Sequence, residues 1–115
     1  TRRVEISGGE IDGAGIGIRN LLRGASGDKK FSYEVVISDP DLNRKCGLSE
    51  REVESWITTG RAEDNIPIPV NEISIQKVLF DIPEGSPLCT IRFRVNVEAD
   101  GEPYYTELFD LTVSA

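Results

Sequence analysis

Residues 88–113 carry the longest run of strand periodicity in the chain, and they constrain its fold more than any other stretch. From residue 89 to residue 98, apolar and polar side chains alternate. The apolar row is Cys89, Ile91, Phe93, Val95 and Val97, and the polar row is Thr90, Arg92, Arg94, Asn96 and Glu98. Alternation with a period of two is typical of a β-strand that buries one face. This stretch therefore predicts a strand that packs against a core.

A second alternating run follows and predicts a hairpin with the first. Its apolar row is Tyr105, Phe109, Leu111 and Val113. Between the runs lies Asp100-Gly101, a strong hairpin signal. A two-residue loop would pair residue 97 with residue 104 and place the two apolar rows on opposite faces, because a one-residue slip exchanges the faces of a strand. We therefore predict an odd-length loop of three residues, with Gly101 near a left-handed conformation.

Shorter segments elsewhere also read as strands, separated by turn signals. They are residues 2–7, 15–18, 31–38, 66–70 and 72–80. In the last segment Ile73, Ile75 and Leu79 lie on one side, and Val78 and Phe80 break the alternation, which suggests a bulge or a stretch covered on both faces. The prolines of 66–70 fit an edge strand or a connection rather than a central strand. Residues 20–30 read as a connection with a flexible tip at 24–28.

One helix is expected at residues 49–58, in a crossover. Ser49 and Glu52 match the capping box at the start of a helix, and Gly60 suits its end. We expect Trp56 to cover the open side of the sheet core, with surface recognition as the alternative.

Together these elements predict a mainly β, single-domain antiparallel sandwich of about seven strands over residues 1–115. One domain of this length can bury its own core. The order Cys46, Trp56, Cys89 resembles an immunoglobulin-like layout. Pro87 stands where an immunoglobulin domain has its corner tyrosine, and Cys46 lies beside a helix cap, so we expect the layout without membership of that family.

Charge and composition exclude several classes of function. The net charge of −7 and the pI of about 4.6 argue against binding nucleic acid or an anionic membrane through a basic surface. The chain has no histidine, which removes histidine-based triads and zinc sites. No apolar run approaches the roughly 18–20 residues that span a bilayer, so we expect no direct membrane insertion by this segment. The first residue is Thr1 rather than Met, which suggests a processed or excised piece of a longer chain. Chance in so short a chain equally explains the absence of all methionine.

Glycines recur in the second strand. Gly13, Gly15 and Gly17 follow the spacing GxGxG rather than the dinucleotide-binding GxGxxG, and no strong helix comes after them. Ile16 and Ile18 alternate with them, so we predict a strand whose bare outer face lets another backbone or a partner approach closely.

The two cysteines, Cys46 and Cys89, are 43 residues apart, far from any CxxC spacing. A disulfide between them would stabilise the fold by about 3–4 kcal/mol in the loop-entropy account. Two buried free thiols are the alternative. A disulfide would indicate an extracellular, periplasmic or otherwise oxidising compartment, with the cytosol of hyperthermophiles as the known exception.

Calcium is the one cofactor candidate. Four side chains with hard oxygen ligands occupy positions 1, 3, 5 and 12 of a calcium loop: Asp39, Asp41, Asn43 and Glu50. Arg44 stands at position 6, where such loops have glycine, and a strand rather than a helix precedes the segment. The alternative is a polar connection in which Asp39 and Asp41 bond the local backbone.

The function expected from these features is structural. Without histidine or a marked nucleophile, and with acidic pairs that read as solvated surface, the chain is a poor enzyme candidate. We expect a non-enzymatic extracellular structural or adhesive domain, a subunit or module of a surface filament or another cell-surface assembly, whose sheet edges accept a neighbouring strand. In size and layout it is similar to the globular domains of pilins, without the apolar N-terminal helix of type IV pilins. The alternative is a monomeric protein- or glycan-binding or inhibitory module that displays residues 60–69 as a loop.

Overall fold

The computed structural model describes residues 1–22 and 29–115, so the flexible tip predicted at 24–28 lies outside the described residues. In this part of the chain, eight strands and two short helices follow one another: β1 Arg2–Ser7, β2 Ile11–Arg19, β3 Lys29–Ile37, α1 Leu42–Cys46, α2 Glu50–Glu54, β4 Ile57–Thr59, β5 Ala62–Ile68, β6 Ile73–Asp81, β7 Thr90–Ala99 and β8 Glu102–Ser114. Most of the described residues are in strands, as predicted.

The strands form two sheets that pack as a sandwich. Sheet A has the order β1-β8-β7-β3-β5, and sheet B has the order β2-β6-β4. The predicted sandwich is therefore confirmed, but its pairing is not entirely antiparallel. β1 runs parallel to β8, with Arg2 opposite Phe109 and Ser7 opposite Ser114. Because no hairpin joins these two strands, no tight turn requires them to be antiparallel.

The hairpin between β7 and β8 places both apolar rows on one face, as predicted, but its loop does not have the predicted length. Its loop is the two-residue Asp100-Gly101, in which both residues have positive φ, 49° and 81°. Such a turn matches the twist of the flanking strands. The pairing then shifts by one residue, because Glu98 lies opposite Pro103 while Val97 lies opposite Tyr105. The extra residue, Tyr104, forms a bulge. This bulge puts the two apolar rows on the same face, as an odd-length loop would have done.

An aromatic cluster joins the two sheets at the centre of the core. Phe93 of β7 stacks on Phe109 of β8, with ring centroids 5.1 Å apart and an interplanar angle of 7°. Phe80 of β6 meets both rings edge to face, at 5.5 and 6.1 Å. Aromatic pairs of this kind contribute about 0.5–1.5 kcal/mol each beyond the area that they bury.

The row of β6 that faces the core is that of Val78 and Phe80, which the sequence showed only as a break in the alternation. Val78 and Phe80 point into the core, with 1% and 0% of their surface exposed, whereas Ile73 and Ile75 point to solvent. Both faces of this strand carry apolar side chains, so its alternation does not show which row is buried. The pairing of β6 with β2 resolves the choice, because it places Ile73 and Ile75 beside the glycines.

The predicted helix is shorter than expected, and a second helix precedes it. The capping box is present, with Ser49 accepting from the backbone of Glu52 and Glu52 accepting from that of Ser49, but α2 ends at Glu54. The backbone N–H of Asp81 donates to the carbonyl oxygen of Trp56 at 2.7 Å, and β4 then pairs with β6. This pairing competes with the helix and ends it before Gly60. Trp56 is 4% exposed and packs in the core, as predicted.

A disulfide joins Cys46, the last residue of α1, to Cys89, which precedes β7. The Cα atoms are 5.7 Å apart, and the alternative of two free thiols is wrong. The bond ties the helical segment to the central hairpin. It closes a loop long enough to stabilise the fold by about 3–4 kcal/mol.

Gly13 is the tightest point between β2 and β6. A Cβ atom at this position would lie 1.9 Å from the carbonyl oxygen of Val78, a backbone atom that cannot turn aside. At Gly15 an added Cβ would meet only the Cγ2 methyl group of the Ile75 side chain, at 3.1 Å, rather than backbone. Only glycine therefore fits at residue 13, while residue 15 has some freedom.

We predict that Gly13→Ala lowers the free energy of unfolding by about 2 kcal/mol or more, since overpacking of a rigid site costs about 1–3 kcal/mol or above. Gly15→Ala is the matched control and changes it by less than about 1 kcal/mol. Urea unfolding followed by circular dichroism measures both. Equal effects of the two substitutions would contradict the close approach at Gly13.

Candidate functional site

An apolar strip covers the outer face of sheet B, on the side away from the core. Three of its side chains are exposed by half or more of their surface: Ile11 at 63%, Ile73 at 51% and Ile75 at 65%. Between them lie three residues that carry no side chain: Gly13, Gly15 and Gly17. These six residues form what we call the isoleucine–glycine face. Exposed apolar side chains that are grouped on one face mark candidate interaction sites on folded proteins.

The strand register explains how the face is built. Gly17 of β2 lies opposite Ile75 of β6, and Gly15 lies opposite Lys77. The side chains of Ile73 and Ile75 lean toward β2, because an added Cβ at Gly17 would lie 3.3 Å from the Cδ1 atom of Ile73 and 3.5 Å from that of Ile75. The bare outer face predicted for β2 is therefore partly covered by isoleucines of its neighbour. The result is a surface with few protruding side chains, which a partner can approach closely.

The outer edge of β2 is closed to an added strand. Three of its carbonyl oxygens accept hydrogen bonds from side chains of sheet A: Gly15 from Arg2, Gly17 from Tyr105 at 2.7 Å, and Arg19 from Tyr104 at 2.7 Å. A strand edge whose acceptors already have donors is a poor template for backbone pairing.

The remaining edges are short or charged. β5 forms one edge of sheet A and contains Glu63, Asp64 and Pro67, the last without an amide donor. Residues 66–68 therefore belong to an edge strand, which is one of the two alternatives predicted for 66–70. Because β5 begins at Ala62, the proposed display loop at 60–69 is mostly strand. β4 has three residues, and β1 carries two arginines and a glutamate. Charged and short edges disfavour strand addition.

Burial and neighbouring charge raise the pKa of two tyrosines that hold the strands in place. Burial, followed by the charge of Glu107 and the neighbouring Tyr104, raises the pKa of Tyr105. Burial, followed by the charge of Glu63, raises that of Tyr33, whose hydroxyl donates to the carbonyl oxygen of Gly60 at 2.8 Å. Both hydroxyl groups therefore stay protonated and act as hydrogen-bond donors.

A charged network lies on the opposite side of the molecule, beside the disulfide. Lys45 contacts Asp39 at 2.5 Å, and the backbone N–H of Arg92 donates to the same carboxylate at 3.3 Å. The Nε and Nη2 atoms of Arg92 donate to the two carboxylate oxygens of Asp110 at 2.9 and 3.2 Å. The network lines a depression of about 290 Å³. Its acids are already held by cations of the chain, so it serves to anchor α1 to β7 and β8.

The network lowers the pKa of both carboxyl groups. Burial alone would raise the pKa of Asp39, but the hydrogen bonds from Lys45 and the backbone, with the charge of Lys45, outweigh it. The bidentate hydrogen bond from Arg92 lowers the pKa of Asp110, and burial opposes it only partly. Both groups are therefore carboxylates at neutral pH.

The proposed calcium ligands contact different partners and lie in different elements. Asp39 accepts from Lys45 and from the backbone N–H of Asp41, and Asp41 pairs with Arg44 at 3.0 Å. The Asp39–Asp41 backbone bond is the local contact that the alternative interpretation expects. Asn43 belongs to α1, and Glu50 begins α2. Over residues 1–22 and 30–115, no three acidic or thiol side chains are grouped so as to hold a metal ion. Calcium at these residues stays a prediction.

Comparison of the sequence with models of known protein families found no match, and comparison with curated proteins found none either. The function must therefore be argued from the geometry of the chain itself. Neither of the two helices in the described part of the chain has the length and apolar composition needed to cross a membrane.

The lowered carboxyl pKa values predict a loss of stability in acid. A group whose pKa is lowered on folding stabilises the protein fully above its unfolded value, about 4, and the contribution disappears as the pH falls through the folded value. We therefore expect the free energy of unfolding of Asp110→Asn to change less between pH 7 and pH 2.5 than that of the wild type. Urea unfolding of both proteins at the two pH values measures this difference.

Glu84→Gln is the control for that comparison, because Glu84 is exposed in a turn and forms no ion pair within the described residues. It should keep the wild-type pH dependence. If Asp110→Asn kept it as well, the bidentate contact with Arg92 would contribute nothing to acid sensitivity.

Proposed function

We propose that the chain is a non-enzymatic structural domain that acts through protein contact, as a subunit or module of an extracellular or cell-surface assembly such as a filament. The observation that carries this proposal is the isoleucine–glycine face. Half-exposed isoleucines on a sheet face with bare glycines between them gain free energy when a second protein covers them. Burying a fully exposed side chain contributes about 1.5–3 kcal/mol, and each of these isoleucines roughly half of that.

The disulfide supports the location. Cys46 and Cys89 are bonded, and such bonds persist in oxidising compartments, while reducing systems keep cytosolic thiols free. A filament subunit on the cell surface also has to survive dilution and mechanical load. A covalent link between α1 and the central hairpin suits that demand.

The charged groups support a structural rather than a catalytic role. Asp39 and Asp110, whose carboxylates line the depression beside the disulfide, are both paired with cations and have lowered pKa values. A general acid needs a raised carboxyl pKa. The arrangement suits an anchor better than acid–base chemistry.

The proposal predicts self-association that depends on the isoleucine–glycine face. Sedimentation velocity of the wild type from about 10 µM to 1 mM should show growing assemblies. Ile73→Thr/Ile75→Thr removes apolar surface from the face, and each tenfold change in affinity corresponds to 1.4 kcal/mol, so the double variant should need at least about tenfold more protein to associate.

Leu88→Thr is the matched control, because Leu88 is 68% exposed but lies in the connection before β7 rather than on the face. It should associate like the wild type. Runs with calcium and with a chelator test the predicted ion in the same series. A monomer at 1 mM in every condition would overturn the proposal in favour of a monomeric binding module.

A further inference from the structure

We propose that the isoleucine–glycine face binds an acidic depression on the outer face of sheet A of a second copy, so that copies stack head to tail. This inference rests on the proposed function and names the partner of the same face. The depression is formed by β3, β5 and β7 around Ser32, Glu34, Ala62, Asp64 and Glu98, and has a volume of about 290 Å³.

The depression carries negative charge that no ion pair among the described residues neutralises. Ser32 lies opposite Glu98, and Glu34 lies opposite Ala62, so small side chains alternate with carboxylates. Within residues 1–22 and 30–115, none of Glu34, Asp64 and Glu98 forms an ion pair. Lys30 lines an adjoining hollow, and Arg94 follows along β7, so three carboxylates stand against two flanking cations.

The isoleucine–glycine face carries the opposite charge. Lys77 lies beside Gly15, and Arg19 lies beside Ile73, so both cations border the exposed isoleucines. Neither cation forms an ion pair within the described residues. Asp81, opposite Ile11, is the one acid in the outward rows of β2 and β6. In a chain whose net charge is −7, a surface with two cations and one acid is complementary to the rest.

Head-to-tail contact follows from where the two surfaces lie. One surface is the outer face of sheet B and the other is the outer face of sheet A, so they are on opposite sides of the sandwich. A contact between different surfaces leaves one of each free on the pair, and it can repeat into an open chain. A two-fold contact between two isoleucine–glycine faces would instead bring four cations together against two acids, and like charges suppress such pairing.

The test uses charge reversal on each surface. Lys77→Glu and Glu98→Lys should each weaken association at least about tenfold in sedimentation velocity at low ionic strength, where exposed charges are least screened. An equimolar mixture of the two variants should associate like the wild type. In the mixture every contact between unlike copies is either the wild-type pair or its reversed counterpart, whereas contacts between like copies repel.

Glu5→Lys is the control for Glu98→Lys, since Glu5 lies on β1 at the other edge of sheet A and its substitution changes the net charge by the same amount in the same direction. It should leave association unchanged, and thermal unfolding should show that all variants fold. Wild-type association by Glu98→Lys would overturn the head-to-tail contact, and so would a mixture no stronger than its components. If Ile73→Thr/Ile75→Thr still weakened association in that case, the proposed function would stand without this inference. A wild type that stays monomeric would overturn both.

Discussion

The register between β7 and β8 is the constraint on which the rest of the structure depends. The Asp100-Gly101 turn alone would place Phe109 and its apolar neighbours toward solvent. The bulge at Tyr104 shifts the pairing by one residue and sets Phe109 opposite Phe93, where both meet Phe80 of the other sheet. Since β1 pairs with β8 and β3 pairs with β7, both neighbouring strands are built on that register.

The bulge also decides how the molecule can contact a partner. It directs two successive tyrosines, Tyr104 and Tyr105, toward β2, where their hydroxyl groups occupy backbone acceptors. The edge of β2 is thereby closed, while its outer face, with bare glycines beside Ile73 and Ile75, stays open. Contact through this face relies on side chains and shape rather than on added backbone pairing. The sequence suggested that a neighbouring strand is added at a sheet edge. The structure does not favour that mode of contact.

The sequence predicted most of the fold where one face of an element is polar. Alternation in β7 identified its buried row because the other row is charged, and two distant cysteines predicted the disulfide. The prediction failed where pairing with a strand that is distant in the sequence determines the local structure. Residues 57–59 pair with β6 instead of extending the helix, and the two apolar rows of β6 could be told apart only by its pairing with β2. For that reason the sequence did not show that Ile73 and Ile75, the centre of the candidate site, are exposed.

The central claim is that copies meet through the isoleucine–glycine face, and isoleucine methyl NMR over a concentration series tests it most directly. The δ1 methyl resonances of Ile11, Ile73 and Ile75 should shift or broaden as the protein associates. Those of Ile16 and Ile18, which belong to the same sheet but are 2% and 0% exposed, should stay unchanged. Association that leaves the three exposed methyl groups unaffected would contradict the account.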